Sequence, residues 1–519
     1  MSETYHFEYL HQTSDGMFYL DHRLNPSVRA MLCAMASRMP AGGIEARYHQ
    51  IVEAVAEGLT EDAGYPTLSE MREDPSRKDD LSEFLSGAEE ELCKQAVHPK
   101  VQQFFDKFVL MYGHSSIMEL TGSPSVYTQD ISWYTAWLLF DSPLCSGQEF
   151  STRAVRRKDW PLARECYVHA HHDLSGDEVQ EGPFEDMLIP DPRFQELHDL
   201  WMDIFEAEVE SWKDHLSDPE VRASFGIADK EPFRPALDRA RWAIPGTIAT
   251  GCSHTGHLRE RSRVLRDGYL LAQKSNARAA IETWEAIRYC YAQAAPGLAH
   301  MGLREAVYDA DNSRLPSHFH VGTTSTVAPA VQVNVTFTRQ EEATDFVPGR
   351  EPGQRAYLDA WYNNLAQVDT RIRCSLAVAR DWHRHRTMYP WTMDLVLVDD
   401  RLSIAGNYYT PMSEFGKANV ERALQMATDL YAQFMAEGNQ YMALHCLPLG
   451  TEVELRGQAG LRDAVYCFEL RRDAHGANFE YKAQAEEAML QLTSEVGPEN
   501  ATEMGLALKR SDLSGILSL

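Results

Sequence analysis

The chain is poor in basic residues and has no long apolar run. Lysine and arginine number 49 against 77 acidic residues, a formal net charge of −28 over 519 residues. Such a balance excludes the broad basic track that a nucleic-acid backbone demands, so no nucleic-acid partner is expected. It still admits a small anion, because a few convergent guanidiniums act at short range and with direction. No apolar stretch reaches the ~18–20 residues that span a bilayer, so no membrane partner is expected. The nine cysteines are scattered without a CxxC pair, and an odd number argues against a disulfide framework. The opening MSETYHFEYLHQ has neither the basic nor the apolar part of a secretory signal, which makes the cytoplasm the expected setting.

The chain does hold enough apolar residues, 44%, for cores in at least two domains. Its first hundred residues read as helices broken by polar loops. Asp130 is expected to cap a helix whose Trp133, Trp137 and Leu138 share one face. Residues 156–216 are charged and mostly helical, like an insertion, and a helix-rich run at 262–301 closes the first half. In the second half, Val331, Val333, Val335 and Phe337 alternate with polar residues, as in a half-buried strand. A long helical pattern from Gln354 leads into ARDWHRHR at 379–386, and another runs from Leu461 to Leu492.

Two segments repeat. Residues 239–268 and 445–475 each carry a proline followed fourteen positions later by an arginine in a Leu-Arg pair, Pro245/Arg259 and Pro448/Arg462. Further paired segments precede both in the same order. The period is far too long for a solenoid, so what is repeated is a whole domain.

These segments resemble the flavin-dependent thymidylate synthases. That family has a GHxSxxEH-like segment, an RHR followed by a loop of the form SxxExSxR, and a late helix bearing NxR, LR and a histidine. The first half keeps Gly113, His114, Ser116 and Glu119, then Ser146, Glu149, Ser151 and Arg153, then Arg241 before Ile244-Pro245, and Arg259. It has Asp141-Ser142-Pro143 where RHR should stand and Gly268 in place of the late helix's second arginine. The second half is the converse. Thr323 and Ala328 replace His and Glu of the opening segment, and the loop TMYPWTMDLV lacks Glu, Ser and Arg. Yet VARDWHRHR keeps Arg384, His385 and Arg386, and the late helix keeps Arg462, Arg471 and His475. Because family members are tetramers with sites between subunits, a fused pair that lost complementary motifs would retain one whole site and one degenerate one.

The resemblance implies an α/β (α+β) fold of two tandem domains, residues 1–300 with a helical insertion near 156–216 and residues 301–519. Each would be a mostly antiparallel sheet flanked by helices, the two packed as a pseudo-dimer. A homodimer would then be equivalent to the family's tetramer. The implied reaction is methylene transfer and reduction on a pyrimidine nucleotide, dUMP to dTMP, with FAD as cofactor and methylenetetrahydrofolate and NADPH as co-substrates. Arg471, Ser151 and Arg384 would be catalytic. Glu149, Ser151, Arg153, Arg241, Arg384 and Arg471 would bind the nucleotide, and His114, Ser116, Glu119, His385, Arg386, Arg462 and His475 the flavin.

Departures keep alternatives open. Asp381 stands where the family has a glutamine, and a carboxylate near a phosphate repels it unless paired, so another nucleotide could be the substrate. Leu120 replaces the family's second histidine and Gly460 its asparagine. A regulatory protein that binds nucleotide or flavin without turnover is the reading from a different class. Basic residues such as those at 384–386 also suit any helix C-terminus. His169, His171, His172 and Asp173, and separately His318 and His320, could reach a metal, but there is no HExxH, and adjacent histidines in a polar stretch are usually solvated; no metal is expected.

Overall fold

Alternating burial sets the strands and capping residues set the helices. The structure, a computed structural model, describes residues 7–12, 18–21, 23–36, 43–94, 98–107, 123, 125–149, 160–169, 188–227, 231–294, 319–322, 330–338, 358, 361–388, 390–406, 408–473 and 478–506. Residues up to Phe105 include the helices Pro26–Ala36, Gly43–Ala63 and Lys78–Cys93. These close over an apolar core of their own, with Leu24, Tyr48 and Val52 at its centre. A second, much larger core runs from Val126 to Leu506 and passes through both halves of the remaining chain.

The front half builds a three-stranded antiparallel sheet. Strand β1 is Ser125–Ser132, followed directly by helix α1, Trp133–Phe140, and by β2, Cys145–Glu149. Helix α2, Pro192–His215, intervenes before β3, Ala249–Gly256, which lies between β1 and β2. Helices α3, Leu258–Ser275, and α4, Arg278–Ala294, follow. Asp130 does not cap α1. It sits at a register shift in β1 with φ 60°, and the cap is Ser132, whose Oγ accepts from Thr135 N at 3.1 Å. The hydroxyl at the strand's last residue is simply closer to the helix's unpaired N–H groups.

The back half repeats that order within a larger sheet. Its strands are β4, Phe319–Gly322, β5, Val331–Phe337, and β6, Ala366–Ser375, which leads straight into helix α5, Leu376–His383. Then come β7, Thr392–Val398, β8, Arg401–Leu402, and helix α6, Glu414–Ala436. Last come β9, Glu452–Gly460, and helices α7, Leu461–Asp473, and α8, Phe479–Val496. The sheet order is β8-β7-β9-β6-β5, antiparallel throughout, with β4 added parallel to β7. The helical pattern expected from Gln354 fails at β6. There Ala366, Val368, Thr370, Ile372 and Cys374 are buried alternately, and pairing with β5 and β9 on either side overrides local helical periodicity.

Strands and helices thus follow the same path twice, β1-α1-β2…β3-α3-α4 and β6-α5-β7…β9-α7-α8. The two units meet at the proline turns. Leu449 N donates to Ile244 O at 2.8 Å and Gly450 N to Trp242 O at 2.7 Å. A Cβ on Gly246 would lie 2.2 Å from Leu447 O, so only glycine allows this approach. Among the described residues, no helix is long and apolar enough to cross a membrane.

Candidate active site

Helix α5 is fixed at both ends by buried groups. Ser375 caps it, Oγ accepting from Val378 N at 3.3 Å, and Glu480 of α8 holds that serine by accepting from its N at 2.7 Å and its Oγ at 2.6 Å. At the far end, Trp382 Nε1 donates to Gln484 Oε1 at 3.0 Å, and Trp391 Nε1 donates to His385 O at 3.2 Å. The helix stops at residue 383, and Arg384-His385-Arg386 turn away from it as an anchored corner.

Arg380 and Arg384, one turn apart, share a helix face. Both grip Glu149 at the end of β2. Arg380 Nη2 pairs with Oε1, and Arg384 Nη2 sits 3.0 Å from Oε2. Thr250 Oγ1 donates to Oε1 at 3.3 Å. The side chains of Glu149 and Arg380 are 3% and 7% exposed, that of Arg384 35%. Burial, then the adjacent charge of Arg384, pulls Arg380 down to about 9, and Glu149 is the carboxylate set against both guanidiniums. Arg386 reaches the same strand, its Nη1 donating to Cys145 O and to Ser146 Oγ, each at 2.5 Å. Motif residues of the front half therefore touch those of the back half directly.

His385 is buried, and Arg471 Nε donates to its Nε2 at 2.5 Å. An acceptor at Nε2 puts the ring proton on Nδ1. Burial and then the Arg471 charge push His385 down to about 3, so the ring is neutral near pH 7. The Arg471 guanidinium also lies 5.2 Å from the centre of the Tyr481 ring.

Arg241 has a different setting from the one expected of a ligand contact. It is 2% exposed, with Nη1 3.1 Å from Asp381 Oδ2 and Nη2 donating to Ala377 O at 2.7 Å. Burial works against its charge, but Asp381 foremost, with Tyr409 and Asp238, more than offsets that and raises its pKa. Asp381, the carboxylate in place of the family's glutamine, thus has an internal counter-charge. Gly460 also has a packing reason: a Cβ there would lie 2.4 Å from Asn363 Oδ1. Arg462 stands half-buried on α7.

Ser151, Arg153, His114, Ser116, Glu119 and His475 lie outside the described residues. So do His171, His172, Asp173 and His318, and nothing is described of the His320 side chain; His169 is buried with Nε2 3.1 Å from Glu282 Oε1. Sequence reasoning passed over Arg380 and Tyr481. Arg380 could have been found, since it is the helical neighbour of Arg384 inside a segment already singled out.

The positions matching RHR and Arg471 in the front half look different. Asp141 is buried, and its Oδ1 is 3.4 Å from His383 Nε2, whose ring stacks on Trp137 with centroids 3.8 Å apart. A Cβ on Gly268 would lie 2.1 Å from Trp284 Cη2, so the indole fills the space an arginine would need.

Residues 364–499 match the family model described as thymidylate synthase complementing protein. The matched span contains β6, α5 with its arginine corner, β9, α7 and α8. A search of curated proteins finds no match.

Proposed function

Residues 364–499 belong to the flavin-dependent thymidylate synthase family, and from that premise we propose that the whole chain is a duplicated, single-polypeptide member with one working nucleotide–flavin site. The duplication is supported by the twice-used strand and helix order and by the paired proline turns. The observation that carries the single composite site is the grip of Arg380 and Arg384 on Glu149, with Arg386 on Ser146. These contacts join the loop that only the front half keeps to the RHR corner that only the back half keeps. The filled space beside Gly268 supports the loss of the second site.

The proposed substrate is dUMP, with methylenetetrahydrofolate and NADPH as co-substrates, and the partners are small molecules rather than nucleic acid. Arg384 keeps guanidinium donors beyond the one spent on Glu149, and with Ser151 and Arg153 it would bind the phosphate dianion. His385 Nε2 accepts the hydrogen bond of Arg471 Nε–H and so aims that side chain. Its remaining donors would stabilise negative charge developing on a pyrimidine oxygen. Arg241 acts one step removed, by neutralising Asp381 next to the phosphate-binding arginine. That pairing removes the repulsion that would have argued against dUMP.

The donor set also suits a flavin dinucleotide. Exposed Arg386 and half-buried Arg462 are cations fit for a diphosphate, and His114, Ser116, Glu119, His385 and His475 would complete its site. The flavin, when bound, supplies the redox chemistry that no side chain here can. Release of tritium from dUMP labelled at carbon 5 tests the reaction, and titration with FAD and dUMP should reach one of each per chain. Two of each per chain, or no tritium release from a flavin-loaded protein, would count against this reading.

A further inference from the structure

The two halves grip each other reciprocally, and part of the grip on the arginine corner comes from the half that has no such corner. Helices α1 and α5 each start from a serine cap and run for eight residues. Trp137 in α1 therefore stands where α5 has Arg380, and Asp141 stands where α5 is followed by Arg384. Arg380 and Arg384 reach forward to Glu149. Trp137 and Asp141 reach back to His383, the last residue of α5. The Trp137 ring stacks on the imidazole, with centroids 3.8 Å and planes 19° apart, and Asp141 Oδ1 lies 3.4 Å from His383 Nε2. An ionised carboxylate only accepts, which puts a proton on that nitrogen. Both side chains of the pair are 3% exposed. Asp141 is itself fixed from α3, where Arg263 Nη2 donates to its carbonyl oxygen at 2.9 Å. A buried carboxylate is costly to desolvate, and a corner with nothing to hold would be better filled by an apolar side chain.

We propose that Trp137 and Asp141 are positioning residues for the nucleotide site, clamping His383 so that the chain leaves α5 through Arg384 in one fixed direction. The inference rests on the proposed reading in which Arg384 meets the substrate's phosphate. That side chain is 35% exposed and has rotamer freedom to lose. Fixing the residue before it lowers the cost of ordering it against an anion. The corner at 141–143 then binds no ligand of its own and holds the corner that does.

Radiolabelled inorganic phosphate, dialysed against the full chain, reads this site without flavin, folate or turnover. Arg384→Ala should weaken phosphate binding strongly. Asp141→Ala should weaken it about tenfold, the order of one hydrogen bond to a charged group. Asp141→Asn, which keeps an acceptor for Nε2–H, should restore it. Asp141→Ala added to Arg384→Ala should weaken what remains no further, because the effect runs through that arginine. Trp137→Leu should act like Asp141→Ala and serves in its place if that variant does not fold. Native phosphate affinity in a folded Asp141→Ala or Trp137→Leu chain, a full additional loss in the double variant, or a native chain that takes up no phosphate would overturn the assignment. Tritium release from dUMP is scored separately. Release by an Asp141→Ala chain of native phosphate affinity sinks only the clamp, and phosphate binding that needs Asp141 in a chain releasing no tritium sinks only the thymidylate reading.

Discussion

The corner at residues 384–386 and its front-half counterpart at 141–143 occupy the same place after the same strand and helix, yet one is a cluster of cations and the other is packed shut. In the back half, Arg384 and Arg386 remain exposed and Arg471 is held by a neutral histidine. In the front half, Asp141 is buried beside His383, and Trp284 takes the space next to Gly268. On the proposed duplication, the scaffold is needed twice but the chemistry once. On that reading Trp284 fills the space an arginine would take, and a large apolar side chain so buried adds roughly 1.5–3 kcal/mol.

The sharpest way to break this contrast is to remove the residue that bridges it. Glu149→Ala leaves Arg380 buried without its carboxylate, and breaking a buried pair from one side costs about 3–5 kcal/mol. The figure rests on Arg380 alone, since Arg384 is partly solvated. A urea titration should show the loss in the core shared by both halves, and a change under about 1 kcal/mol would mean the bridge is ornamental.

Next in size is the effect on turnover. Arg471→Ala should lower the rate of tritium release about 10²–10³-fold, roughly 2.7–4 kcal/mol of transition-state stabilisation, with the melting temperature little changed. At its counterpart, Gly268→Ala should do the opposite. The added methyl meets Trp284 and should cost about 1–3 kcal/mol of stability by overpacking, with no effect on rate per folded molecule. If both substitutions acted on turnover, the front-half site would be live.

Acid sensitivity should be shared by the halves even though, as proposed, activity is not. His385 is pushed down to about 3 by burial and then Arg471, and His254 likewise to about 3 by burial and then Arg261. Each is neutral in the folded chain and takes up a proton near pH 6.5 when unfolded. The unfolded state therefore binds more protons between pH 6.5 and 3, so stability is full above about 6.5 and falls as the pH drops toward 3, by up to ~1.4 kcal/mol per pH unit for each ring. Urea midpoints measured from pH 7.5 to 5 should show the fall. His385→Gln and His254→Gln should each flatten it, and only the former should also slow turnover.

How much of this was legible in the sequence depends on the kind of signal. Val331–Phe337 reads as a strand because one face is buried and the other is wet, and the fold keeps it with those bounds. Residues 366–375 were lost to a helical pattern because strand pairing on both sides is a tertiary fact. The arginine corner was readable as a motif, but the burial of Arg241 was not. An arginine that binds phosphate and one that neutralises an aspartate 140 positions away look the same in a string of letters. The extra acid at Asp381 was the available hint, since a carboxylate gained beside a phosphate site requires a partner. Trp284 closing over Gly268 was hidden for the same reason: cavities belong to packing, not to spacing.

The smallest predicted effect is the one that ought to be equal on the two sides. Ser132 and Ser375 cap α1 and α5, and each hydroxyl is in turn held by a buried glutamate, Glu165 at 3.0 Å and Glu480 at 2.6 Å. The two glutamates come from unlike places, one from the short turn Arg164–Cys166 and the other from α8, so the same device is supplied by different elements. Ser132→Ala and Ser375→Ala should each cost about 1–2 kcal/mol, measured as urea midpoints at pH 7.5. If Ser375→Ala proves far costlier, the capped helix matters chiefly for holding the arginines, and the front half has been released from scaffold duty as well as from chemistry. Equal losses, with turnover slowed only by Ser375→Ala, would show that the scaffold is still needed twice while the reaction is run from one side.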